Sequence, residues 1–145
     1  GSGFSGATRV VKQGEGTLVL PDVEMTHSGN TDVWNGTLVF NGTMKKSSLW
    51  LNRHTSLRSS GTFRSIKADY GATVYPGGDG QVGTLTTDSV TLGFGSRVVF
   101  DLKNDFTSDR LDTKVLTVET KSWKYGPKYL APVFEFRGEE VQPGR

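Results

Sequence analysis

Between Val33 and Ala68 the chain carries no acidic residue, while Lys45, Lys46, Arg53, Arg58, Arg64 and Lys67 all fall there, with Trp34 and Trp50 among them. Cations interleaved with indole rings suit an acidic polysaccharide. Ammonium and guanidinium groups pair with carboxylates or sulfates, and a flat ring supports the apolar face of a sugar. These eight residues, with Tyr70 as a third candidate ring, form the candidate ligand site. The competing reading makes the tryptophans core or corner fillers and the charges a solvated face. A nucleic-acid partner fits less well, because 17 Lys and Arg stand against 15 Asp and Glu, a net +2, and no DNA- or RNA-binding pattern is present.

Catalytic and metal chemistry find little support. His27 and His54, the only histidines, sit in no metal-ligand spacing and beside no recognisable acid and nucleophile. Asp101, Asp105, Asp109 and Asp112 form an acidic run that lacks the alternating Asp phrase of a calcium loop and is interrupted by Lys103 and Arg110, so they read as loop carboxylates, with Asp109 capping a turn. Glu139 and Glu140 read as solvent-facing. The Gly-Gly-Asp-Gly run at 77–80 lacks the helix and lysine of a phosphate loop. The Asn-Gly-Thr triplets at 35–37 and 41–43 spell glycosylation acceptors but follow from repeat grammar. With no cysteine, thiolate sites and disulfides are excluded. No enzyme, cofactor or metal is expected.

The elements that would position these residues are strands. The 145 residues include 19 glycines and no helical window, enough chain for a single domain. Gly16-Thr17-Leu18-Val19-Leu20 returns twenty positions on as Gly36-Thr37-Leu38-Val39-Phe40, each copy a bend followed by an apolar strand. Strand-like runs recur at 10–11, 48–51, 55–57, 61–66, 71–75, 83–86, 90–92, 97–102 and 111–118. Val23, Met25 and His27 alternate with polar neighbours before a turn at 28–30. Such a period points to a β-solenoid of about seven coils, with two or three strands in each. An antiparallel β-sandwich is the alternative, and in-register parallel pairing of Leu18 with Leu38 separates the two. Residues 10–118 are assigned to the solenoid. The aromatic-rich tail 119–145, with Trp123, Tyr125, Tyr129, Phe134 and Phe136, is assigned to a C-terminal cap or edge strands. The start at Gly1-Ser2-Gly3 suggests a fragment of a longer protein. No apolar run is long enough to span a membrane.

The ordered phrases resemble the autotransporter-associated β-strand repeat of bacterial passenger proteins. Lys12-Gln13-Gly14-Glu15-Gly16-Thr17-Leu18-Val19-Leu20, then Asn30-Thr31 and Gly36-Thr37-Leu38, follow that family's first module. Gly71-Ala72-Thr73-Val74, Pro76-Gly77, Gly83-Thr84-Leu85, Gly95-Ser96 through Asp101, and Ser108-Asp109-Arg110-Leu111 follow its second. The resemblance implies a right-handed parallel β-helix from a secreted or surface-displayed bacterial protein, serving as stalk or passenger scaffold. It carries over no catalytic residue. An accessory domain of a carbohydrate-active enzyme, binding anionic polysaccharide through the basic face, is the alternative role. The basic span around 45–60 departs from the family's usual character.

Overall fold

The computed structural model describes residues 5–78, 82–103, 105, 107–119 and 132–138. Twelve strands are laid down in order: β1 (Val10–Lys12), β2 (Thr17–Val19), β3 (Thr31–Val33), β4 (Thr37–Val39), β5 (Thr43–Leu51), β6 (Ser56–Ser59), β7 (Thr62–Ala68), β8 (Thr73–Pro76), β9 (Thr84–Leu92), β10 (Arg97–Leu102), β11 (Arg110–Val118) and β12 (Val133–Gly138). Odd-numbered strands form one six-stranded sheet and even-numbered strands the other, each in chain order. Every neighbouring pair is parallel. The chain therefore alternates between two sheets, and each odd–even pair completes one coil of a parallel β-helix. Leu18 faces Leu38 in register, which excludes the sandwich.

The repeated apolar phrase builds this arrangement. On the even sheet Leu18, Leu38, Leu57, Val74 and Val98 form one inward column. On the odd sheet Leu49, Ile66 and Val90 do the same. Apart from the first-coil Leu18, these side chains are at most 2% exposed. The columns meet between the sheets, where Phe40 and Phe63 pack edge to face with centroids 5.8 Å apart. Full burial of one such side chain stabilises the fold by about 1.5–3 kcal/mol. A lone coil has no neighbour to provide it.

Corners decide where the strands can turn. Gly36 has φ 74°, and a Cβ on it would lie 2.2 Å from the carbonyl oxygen of Gly16 in the preceding coil. One residue earlier in the register, a second left-handed position is held by His54, at φ 57°, in the third coil and by Gly71 and Gly95 in the next two. The His54 ring is accommodated by edge-on contact with Tyr70 at 5.6 Å. Asn41 joins successive corners by accepting from the Ser60 backbone N–H at 2.9 Å and the Ser60 hydroxyl at 3.1 Å.

Six coils are present among the described residues, not seven, because coil length is uneven. Corresponding even-sheet positions give 20 residues (Thr17 to Thr37), 19 (Thr37 to Ser56), 17 (Ser56 to Thr73), 24 (Thr73 to Arg97) and 36 (Arg97 to Val133). Neighbouring strands are about 4.8 Å apart, so first and last rungs are separated by about 24 Å. The short runs 83–86 and 90–92 form the single strand β9. Of the tail, Val133–Gly138 continues the even sheet as its edge strand β12, in register with β10. Trp123, Tyr125 and Tyr129 of the expected cap, with Glu139 and Glu140, lie outside the described residues.

Several polar groups inside the coils find partners nearby. The Lys12 ammonium, nearly buried, donates to the Gln13 and Gly14 carbonyl oxygens at 3.0 and 2.6 Å and closes the first corner. Fully buried His27 places Nε2 2.7 Å from the Thr31 hydroxyl. That hydroxyl lies 2.8 Å from Ser47 Oγ, which donates to the Gly29 carbonyl at 2.7 Å. The chain of bonds anchors the irregular segment 21–30 to β3 and β5. Burial lowers the His27 pKa.

Two outcomes follow. Gly36→Ala should lose at least about 2 kcal/mol by urea unfolding, since left-handed strain and overlap with the Gly16 carbonyl both act on it. The unfolded chain protonates His27 at an ordinary pKa of about 6.5, while the folded chain resists. The His27 contribution is thus complete above that pH and lost progressively as the pH falls below it. A His27→Gln variant should lack this component in urea titrations run across the range.

Candidate functional site

The candidate residues separate according to sheet and corner. On β5 and β7, alternation sends Met44, Leu49 and Leu51, and Phe63, Ile66 and Ala68, inward. Between the pairs Met44–Phe63 and Ser48–Ser65, three residues of β5 stand against one of β7. This bulge leaves Lys45 and Lys46 both exposed on the odd sheet while Ser47 turns into the core. Trp50, Arg64 and Lys67 share that outer face.

Beyond the bulge the outward positions fall into two columns. Ser48, Ser65 and Ser89 stand in register, as do Trp50, Lys67 and Thr91. Together with Asn30 they line a groove of about 310 Å3, which Leu49 and Ile66 also border. Trp50 is 40% exposed, and the Lys67 ammonium lies 5.6 Å from the centre of its ring. The next residue of this column toward the first coil is Asp32. Its buried carboxylate is paired with Arg9, whose Nε–H donates to Oδ2 at 2.8 Å. Arg64 stands at the position corresponding to Asp88 on β9, which is itself 3.4 Å from Lys114. Lys45 and Lys46 border a smaller hollow of about 140 Å3 shared with Glu24.

Four candidates lie elsewhere. Arg58 is on β6, in the other sheet, with its guanidinium 5.5 Å from the Tyr75 ring centre and Arg137 at 5.6 Å from the same ring. Trp34 follows β3 at the corner and meets Arg9 at 6.0 Å. Arg53 lies over Tyr70 at 5.7 Å on the next corner position. Trp34, Arg53, Arg58 and Tyr70 therefore do not join the Trp50 groove. The groove's hydroxyls were absent from the sequence-based site, and the phrase Ser-apolar-x at 48–50, 65–67 and 89–91 singles them out only when the rungs are aligned.

Other reactive groups do not converge. His27 and Ser47 are joined through Thr31, but both are buried and, among the described residues, no carboxylate completes the set. Asp109, buried and not in a solvated loop, accepts from the Gly83 and Asp101 backbone N–H groups at 3.0 and 2.7 Å and so ties the start of β9 to the end of β10. Burial raises its pKa, with those two bonds opposing. Exposed Asp105 accepts from the Thr107 hydroxyl and N–H, which lower its pKa. Among the described residues, no group of three or more His, Cys, Asp or Glu side chains is placed to hold a metal ion.

The two parallel sheets joined coil by coil define a parallel β-solenoid. Residues 10–40 match the family model of the passenger-associated-transport-repeat, which bears out the resemblance read from the Lys12 and Gly36 phrases. No curated protein and no solved structure matches the chain.

Lys67 stands exposed on an outer face, whereas more than half of the Trp50 side chain is covered. Lys67→Ala should shift unfolding free energy by no more than about 1 kcal/mol, the scale of an exposed cation–π contact, and Trp50→Ala by more, about 1–3 kcal/mol, for the covered ring area it also loses. Thermal or urea unfolding of the two variants checks this.

Proposed function

We propose that the chain is a non-catalytic scaffold segment in the passenger of an exported bacterial protein, a rigid stack that carries and spaces other parts on the cell surface or outside it. The passenger-type repeat at 10–40 supports export. The observation that carries the scaffold role is the state of the last coil. Leu116 and Val118 continue the inward columns of Val90 and Leu92, and Phe134 and Phe136 those of Val98 and Phe100. Their predecessors are at most 9% exposed, whereas these four are exposed by 45, 41, 43 and 68%, respectively. An apolar surface already in register for a further parallel coil is what a module within a longer stack presents, and stacking would bury it.

The reading is tested by display. Joined ahead of an autotransporter-type β-barrel in an export strain, the chain should reach the cell surface as a protease-resistant unit. Leu57→Asp, which places a charge in a fully buried column, should make the displayed chain protease-sensitive. Failure of the native chain to reach the surface, or equal digestion of both forms, would overturn the proposal.

A further inference from the structure

We infer that the groove between the Ser48–Ser65–Ser89 and Trp50–Lys67–Thr91 columns is a subsite for an acidic sugar chain, with the sugar units running along the solenoid axis. The inference is independent of export. Three features of the groove converge on this class of ligand.

The first is its periodicity. Hydroxyl groups recur at every rung, about 4.8 Å apart, on three consecutive strands in register. A ladder of donors and acceptors along one line suits a polymer that repeats its own hydroxyls along its length. A compact ligand would use only one or two rungs. The groove's volume, about 310 Å3, lies at the small end of ligand sites and accommodates a short stretch of chain, with the remainder passing over the open ends.

The second is the pairing of ring and cation. Trp50 presents part of its indole to solvent, an apolar platform set among hydroxyls. Lys67, its in-register neighbour, already holds its ammonium at that ring. An acidic sugar settling on the platform meets a counter-charge whose position is partly fixed, which lowers the entropy cost of forming the ion pair.

The third is electrostatic. Ser48, Ser65, Ser89, Thr91 and Asn30 carry no charge, so among the described residues Lys67 is the one charged side chain lining the groove. Asp32, the carboxylate next along the Trp50 column, is occupied by Arg9. Arg64 and the bulge lysines Lys45 and Lys46 extend the positive face along β5 and β7. A bound carboxylate or sulfate thus enters a positive field that raises its local concentration.

Affinity electrophoresis of the full chain in gels containing polygalacturonate, a sulfated galactan or a neutral galactan tests the inference. At least one acidic polymer should retard the chain, while the neutral one should not. Retardation by polygalacturonate alone assigns a carboxylate-bearing ligand, and retardation by the sulfated galactan alone assigns a sulfated one. Trp50→Ala and Lys67→Gln should each weaken binding about tenfold, and added salt should weaken it further. Arg58→Gln, on the other sheet, removes the same charge as Lys67→Gln and should leave binding within about twofold, the reach of a distant screened charge. Circular dichroism confirms that each variant is folded. No retardation by either acidic polymer, retardation unchanged in Trp50→Ala, or equal weakening by Arg58→Gln and Lys67→Gln would each overturn the inference, the last by showing that net charge alone is read.

Discussion

Everything in this molecule depends on in-register stacking of one coil on the next. Backbone ladders set the spacing, but the inward columns set the register. Sliding one strand by a single residue would turn Leu38 or Leu57 to solvent and bring Thr37 or Arg58 into the core. The corners enforce the same choice, since the Gly36 corner sits against the Gly16 carbonyl with no room for a side chain. Apolar columns and tight corners therefore select one pairing without long-range specification, and the backbone ladders join only neighbouring coils.

That locality explains what the amino-acid sequence made legible. Gly16-Thr17-Leu18 and Gly36-Thr37-Leu38 recur at one coil's length, so their pairing was readable, and with it the parallel fold. Alternation at Val23, Met25 and His27 correctly marked inward positions, although the segment holding Met25 and His27 is irregular and tied down through Thr31 and Ser47. His54 was opaque, because nothing in its neighbours says that a histidine will occupy a corner where other coils use glycine. An even twenty-residue period was not legible either, because among the described residues successive even-sheet rungs are 17 to 36 residues apart.

The basic face was only half readable for a related reason. Sequence distance predicts shared faces when the period is constant, but coil length varies and β5 bulges after Met44. Arg58 thereby falls on the other sheet from Lys67, and Trp34 and Arg53 fall at corners. The serine column is visible only once the rungs are aligned, since single serines in strands carry no signal of their own. Inward positions are constrained by packing; outward ones are free to carry chemistry, and the β5 bulge shows that the surface can change on one rung while the next resumes register at Ser65.

The same geometry has a mechanical side. The interstrand hydrogen bonds run along the stacking axis, and the first and last described rungs lie at its two ends. Tension between those ends would load the bonds of the outermost rung one after another instead of shearing a whole sheet at once. The rod would therefore lengthen by peeling, coil by coil, releasing 17 to 24 residues at a time between Thr17 and Arg97. Its inner coils would keep their shape while the end under load gave way.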